Sequence, residues 1–214
     1  MKRVKNSLLL SVLLTLLGSS QVFCMPIQWS GNNHYYDLVA GNANWTDDLV
    51  AASTLEFNGM NGYLATITSA AENGFILNSF FSSNQSMAFV GGRDLGGLSQ
   101  NPPAADIGKW VWYNGPENGI QFYQEDASGG TTTGPYNYAN WELGQPNRSD
   151  IHYLAMSLNT GTWYDTNNGG YTGAPVRVSG YVVEYSTSVP EPATILLLGA
   201  GLAGLVGTGI RRTK

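Results

Sequence analysis

An α+β domain with an antiparallel sheet is the fold class this sequence predicts, on three observations. Two helical windows stand near the start of the chain body, short Tyr-, Val- and Trp-rich windows follow, and Gly, Asn, Ser and Pro crowd the stretches between them. The first helix is predicted over Trp45–Phe57, because Asn44 is a good cap and Trp45, Leu49, Ala52 and Leu55 recur at three-to-four spacing. The second is predicted over Ala70–Phe81. It follows Ser69, with Glu72 three residues on in the arrangement of a capping box, and its apolar set is Phe75, Ile76, Phe80 and Phe81. Strands are predicted at Tyr35–Leu38, Tyr63–Thr66, Met87–Val90, Lys109–Tyr113, Tyr153–Leu158 and Gly180–Tyr185, where apolar and polar residues alternate or Tyr, Val and Trp dominate. Gly91–Gly108, Asn114–Tyr138 and Thr166–Ala174 read as loops.

Composition bounds the function. The chain has 214 residues, 43% hydrophobic and only 12% charged, which suits one ordinary domain with accessories and excludes a disordered chain. Between Met25 and Val189 four basic residues, Arg93, Lys109, Arg148 and Arg177, face fourteen acids, a net of −10. A body that acidic has no phosphate-binding footprint, which argues against nucleic acid as a partner. No nucleophile–base set and no metal cluster is legible, so the sequence reads as a non-enzyme.

The two ends read as addresses. Residues 1–24 open with Lys2, Arg3 and Lys5, run apolar from Leu8 to Leu17 and then turn small and polar, the order of a secretory signal peptide. Cleavage is expected after Cys24, with Ser20 as the alternative. A lipoprotein reading of Cys24 is disfavoured by the bulky Phe23 before it. With Cys24 removed, the mature chain has no cysteine for a disulfide or a thiolate site. The other end, residues 189–214, reads Val189-Pro190-Glu191-Pro192, then an apolar run from Ala193 to Ile210, then Arg211, Arg212 and Lys214. At about 1.5 Å per residue that run reaches roughly 27 Å, just enough for a transmembrane helix over 193–210, with the arginines on the cytoplasmic side. Pro-Glu-Pro, a short span and a terminal basic cluster resemble the PEP-CTERM sorting signal. That resemblance implies export, a membrane anchor through the C-terminal helix, processing by an exosortase-type enzyme, and a final place at the cell surface or in an extracellular polysaccharide matrix.

Within the body, residues 25–188, short aromatic motifs follow in a set order. Asn33-His34-Tyr35-Tyr36 is followed by Trp45-x5-Ala51 and by Gly62-Tyr63-Leu64-Ala65-Thr66 leading to Glu72-Asn73. Then come Phe89-Val90-Gly91-Gly92, Trp110-Val111-Trp112 and Asn140-Trp141-x3-Gln145-Pro146-Asn147, and the series closes with Trp163-Tyr164-Asp165 and Gly180–Tyr185. This succession resembles the C-type lectin-like domain, whose fold has two helices, a mixed, mainly antiparallel sheet and long loops. In that family cysteines help pin the loops; here Tyr153 and Val183 stand at two such positions, so packing of Trp110, Trp112, Trp141 and Trp163 is expected to replace them.

Sugar-binding members of the family hold their ligand through calcium. Carried over, the resemblance implies a metal set of Gln145, Asn147, Asp150 and Asp165, with Gln145, Asn147 and Asp165 also touching ligand and a cis bond before Pro146. Tyr164 replaces one expected ligand, and the neutral Gln145 and Asn147 leave a ligand charge of at most −2. Such a site would bind calcium with a dissociation constant on the order of 10⁻⁴ M or weaker. Two alternatives stay open: Gln145 and Asn147 bond their own loop backbone, or the pocket takes a polar ligand without calcium. His34 and His152 read as packing residues. Glu125-Asp126 reads as two neighbours in a loop whose side chains point apart, and Glu184 reads as structural. The leading expectation is an exported carbohydrate-binding module whose partner is a carbohydrate or exopolysaccharide; the rival is a calcium-independent protein-interaction or structural domain of the same fold.

Overall fold

The computed structural model describes residues 25–41, 44–84, 86–98, 103, 106–127, 129–147, 151–170 and 177–186. The signal peptide, Asp150 and the whole C-terminal signal with its apolar run lie outside the described residues. Among the described residues no helix is long and apolar enough to cross a membrane.

The chain runs β1 (Ile27–Gln28), β2 (Tyr35–Ala40), α1 (Trp45–Thr54), β3 (Glu56–Phe57), β4 (Met60–Leu64), α2 (Ala70–Phe80), β5 (Met87–Asp94), β6 (Lys109–Trp112), β7 (Gln121–Gln124), β8 (Thr131–Thr132), β9 (Tyr153–Ser157), β10 (Trp163–Thr166) and β11 (Val178–Tyr185). A 3-10 turn, Leu95–Leu98, follows β5. The closing strand β11 is the hub: it pairs antiparallel with β2 and β4 and parallel with β5. From β5 the sheet continues antiparallel into β6, β7 and β8 on one branch and into β9 and β10 on the other. One parallel pairing among antiparallel ones makes the sheet mixed, as expected.

Period-2 alternation builds two cores from the same strands. Val182, Ala88, Val90, Leu154 and Met156 face one cluster with Tyr36, Ile76, Trp110, Trp112 and Trp163. Their strand neighbours Tyr181, Val183, Met87, Phe89 and Ala155 face the other, with Trp45, Ala52 and Leu64. Both faces of β5 are therefore buried along its whole length. Val183, at one of the family's cysteine positions, is fully buried in the second cluster, and Tyr153, at the other, packs against it.

Both helices start where the caps predict. The Asn44 side chain accepts from the Asp47 N–H and the Ser69 side chain from the Glu72 N–H, bonds each worth about 1 kcal/mol. Their ends differ from the expectation. The first helix stops at Thr54, because the Ser53 and Thr54 hydroxyls bond back to the Val50 and Ala51 carbonyls and Leu55 turns extended. Phe57, read as the last helical turn, belongs to β3 and packs in the second cluster. The second helix stops at Phe80, and Phe81, read as a buried position, is 59% exposed. The capping box is half formed: the Glu72 carboxylate bonds Thr68 and Tyr36 instead of reaching back to Ser69.

The predicted strands exist with shifted bounds, the largest shift being Met60–Leu64 in place of Tyr63–Thr66. The loop read over Asn114–Tyr138 contains β7 and β8, the loop read over Gly91–Gly108 starts inside β5, and β10 fills Trp163–Thr166. The tryptophan expectation stands. Trp45, Trp110, Trp112 and Trp163 are at most 1% exposed, while Trp141 is half-buried against them. Rings of Trp112, Phe122, Tyr138 and Trp141 surround Trp163 edge-on at 5.4–6.1 Å. Trp45 donates to the Val90 carbonyl at 2.9 Å and Trp163 to the Asn73 side chain at 2.8 Å.

Candidate functional site

The segment Asn140–Asn147 carries two of the predicted site residues, Gln145 and Asn147, and β10, which carries Asp165, fastens it. Trp163 donates its N–H to the Asn140 carbonyl at 2.7 Å and accepts the Glu142 N–H at 3.0 Å. The Gln145–Pro146 bond is cis, as the resemblance implies. Gln145 Oε1 accepts the Asp165 N–H at 3.3 Å, and Asp165 Oδ2 accepts the Asn147 N–H at 3.0 Å. Gln145, Asn147 and Asp165 are thus brought together, with Asp165 fully buried in β10, Gln145 half-buried and Asn147 exposed. Tyr164, in place of the expected ligand, turns toward the second core cluster.

These contacts test the fit of calcium. The ion wants six to eight oxygens, mostly carboxylate or carbonyl. Here Gln145 Oε1 accepts a backbone amide of β10 and Asp165 Oδ2 one of the loop, which ties the two chain segments together. Among the described residues no three His, Cys, Asp or Glu side chains converge as a metal-holding group. Of the predicted metal set the described residues supply one carboxylate, Asp165, and two neutral amides, Gln145 and Asn147; Asp150, the fourth predicted ligand, lies outside the described residues.

Next to this loop, at the end of β5 and the start of β9, opens a cavity of about 380 Å³ lined by Asp94, Ile107, Gly108, Glu125, Asp126 and His152. Asp94 ends β5. Its backbone N–H bonds the His152 carbonyl at 3.0 Å, and its carboxylate receives the Gly96 N–H and His152 Nδ1, each at 3.0 Å. Glu125 follows β7, and its N–H bonds the Gly108 carbonyl at 2.8 Å. Burial first, then the charges of Asp165 and Asp94, push the Glu125 carboxyl up from its ordinary value. The His152 N–H bonds the Thr166 carbonyl at 3.2 Å, which sets this cavity beside the end of β10. Glu125 and Asp126 both line this cavity, and the Asp126 carboxylate also accepts the Gly130 N–H at 3.2 Å. His152 pairs with a carboxylate in that cavity wall. Sequence reading missed this set because Asp94 and His152 are 58 positions apart and meet only through the β5–β9 pairing.

A second polar cluster lies in the core between α2 and β11. Glu184 accepts from the Thr66 N–H at 3.0 Å, His34 Nδ1 at 2.5 Å and the Tyr36 hydroxyl at 3.2 Å. Glu72 accepts from Tyr36 at 2.5 Å and from the Thr68 N–H and hydroxyl at 2.7 and 2.9 Å. Burial, then the Glu184 charge, push Glu72 up to about 7. Burial alone would lower His34, but its bond to Glu184 and the charges of Glu184, Glu72 and Glu117 outweigh it and raise it. With both glutamates at most 2% exposed and bonded to strands and helix alike, this cluster joins elements, as expected of Glu184.

The PEP-CTERM protein-sorting motif matches residues 188–212. Over 136 residues the chain is 32% identical to Halomucin of Haloquadratum walsbyi; the match covers 64% of this chain and only 1% of that much longer protein. Among solved structures the chain is similar to the C-type lectin CEL-I from Cucumaria echinata, with a TM-score of 0.50 and 16% identity over 76% of this chain and 98% of that one. It is also similar to human lithostathine, at TM-score 0.47 and 16% identity, over 81% of this chain and 98% of that one. The chain has the C-type lectin-like fold and carries a PEP-CTERM signal, which indicates export and surface sorting.

Proposed function

We propose that this chain is an exported carbohydrate-binding domain of the cell surface or extracellular polysaccharide matrix, and that the cavity between Asp94, Glu125, Asp126 and His152 is its ligand site. The observation that carries the reading is the lining itself. Three carboxylates accept hydroxyl hydrogens in pairs, and the cavity of about 380 Å³ falls in the range of small-molecule sites. A body of net charge −10 and a three-carboxylate wall disfavour anionic polymers, so neutral or amine-bearing sugars are the ligand class. Gln145, Asn147 and Asp165 are not among the cavity's lining residues; they fasten the neighbouring loop to β10, whose Thr166 carbonyl takes the His152 N–H. In this reading sugar is held by the carboxylate lining, without the ion. The lining offers hydroxyl acceptors, and the reading is of a binding site. Before processing by an exosortase-type enzyme, the apolar run Ala193–Ile210 holds the chain in the membrane.

A glycan array tests this. The exported domain is expected to retain neutral or amino sugars, and the double substitution Glu125→Gln with Asp126→Asn to weaken retention at least about tenfold, since each lost charged hydrogen bond is worth about 1.5–3 kcal/mol. A protein-interaction role is the second reading, favoured by Leu143, which stands 96% exposed in the same loop. An array without retention, together with a protein partner captured by wild type and lost in Leu143→Ser, would replace the first reading by the second.

A further inference from the structure

A groove of about 490 Å³ lies between α1 and β4, on the opposite helix from the buried glutamate cluster. Leu49 and Val50 of α1 form one wall, Asn61 and Tyr63 of β4 another, and Tyr113 and Asn114 a third. Val50 is 62% exposed and Tyr113 36%, so an apolar helix face and a tyrosine ring stand open to solvent together. No carboxylate or ammonium lines the groove. The Asn114 amide pairs with both backbone groups of Leu64, at 3.1 and 2.7 Å, which satisfies the strand edge and leaves the floor without an open polar demand. Gly115 (φ +67°) presses on the Tyr63 ring where a Cβ would come within 2.6 Å, and so fixes the ring in place.

We propose that this groove receives the chain's own Pro190-Glu191-Pro192 segment. The first argument is where the described chain ends. Tyr185, the last residue of β11, pairs with Gly62, and the Tyr63 hydroxyl donates to Ser186 at 2.8 Å. The tail thus leaves from the wall of the groove, and its antiparallel register points it toward Asn61, another wall residue. Pro190 lies four positions past Ser186, a reach of at most about 14 Å, close to the roughly 15 Å length of α1.

Chemistry supplies the second argument. Proline-rich segments dock as extended, preformed helices in grooves with aromatic walls, and here two proline rings meet two tyrosines. Glu191 between them suits an acid-free lining on an otherwise acidic body. Behind Tyr113 the buried Arg93 guanidinium lies 5.2 Å from the ring centre and 5.0 Å from that of Tyr153, adding a positive field at that wall. A tethered segment also outcompetes a second copy, because a short tether sets an effective concentration on the order of millimolar. This inference stands on the exit of the tail and is independent of the carbohydrate reading.

The test uses the full chain with its tail intact, in mild detergent and carrying Cys24→Ser, so that introduced thiols are the only ones. With Val50→Cys and Glu191→Cys, an intramolecular disulfide is expected to form at least tenfold faster than with Gln28→Cys and Glu191→Cys. Gln28 is exposed and pairs with Tyr35, itself the partner of Tyr185, so it lies two strands, about 10 Å, from the tail's exit on the other side. Adding Pro190→Ala and Pro192→Ala should bring the Val50 rate down to the Gln28 rate. Equal rates for the two pairs, or a Val50 rate indifferent to the prolines, overturn the proposal. A disulfide-linked dimer overturns it in favour of a second copy.

Discussion

Trp163→Ala is expected to destabilise the domain by about 3–5 kcal/mol, a large share of the 5–15 kcal/mol a domain of this size holds. The ring is fully buried and meets Trp112, Phe122, Tyr138 and Trp141 edge-on, so its removal opens a cavity that four other rings line. Its indole N–H is the partner of the buried Asn73 side chain, which would be left with an unanswered acceptor. Because the Trp163 backbone also clamps Asn140 and Glu142, loss of the ring loosens the loop that carries Gln145 and Asn147. Urea denaturation measures this as a lower midpoint at unchanged slope. Trp163→Phe should recover more than half of the loss. A loss below about 1 kcal/mol in the alanine variant would show that the aromatic cluster does not anchor the loops in place of disulfides.

Comparable in size is the effect of cutting the buried glutamate cluster. Glu184→Ala leaves the Thr66 N–H and His34 without their shared acceptor, while Tyr36 keeps its bond to Glu72, and breaking one partner out of a buried charged set costs about 3–5 kcal/mol. The same cluster sets a pH dependence. Glu72 is pushed above its unfolded value, up to about 7, so it favours folding while protonated, fully below about 4.5, and that contribution is lost as pH rises through 7. His34 is raised as well, and its contribution is present below 6.5 and lost as pH rises through its folded value. Both act in the same direction. The melting temperature should therefore fall between about pH 4.5 and pH 7.5, Glu72 alone accounting for an amount corresponding to roughly 3 kcal/mol. Glu72→Gln, which keeps the volume and removes the titration, should flatten most of that fall. A melting temperature that rises over this range contradicts the assignment.

How much of this was legible depended on sequence distance. Asn44 and Ser69 announced both helix starts because a cap acts over three residues, and buried tryptophans followed from ring size alone. The stop at Thr54 was not legible: Leu55 and Phe57 continue the helical spacing, yet the hydroxyls of Ser53 and Thr54 bond back and Phe57 finds a better place beside Tyr35 and Tyr185. Strands β7 and β8 hid in Gln-, Gly- and Thr-rich sequence, since their apolar content is only Phe122 and Tyr123. The site was half legible. The motif order brought Gln145, Asn147 and Asp165 to one place, but it did not foretell that Gln145 Oε1 and Asp165 Oδ2 each accept a backbone amide of the other's segment. Asp94, Glu125, Asp126 and His152 carried no motif, because a cavity between a strand end and two loops is made by pairing register and leaves no local spacing.

The central claim is that sugar is held in the Asp94–His152 cavity without calcium. Isothermal titration of a sugar retained on the array, once in excess calcium and once in chelator, tests it most directly. Equal affinities in the two titrations, weakened at least about tenfold by Glu125→Gln with Asp126→Asn, are the predicted result. Binding that vanishes in chelator and in Asn147→Ala or Asp165→Ala, while the Glu125 and Asp126 substitutions leave it intact, would contradict it.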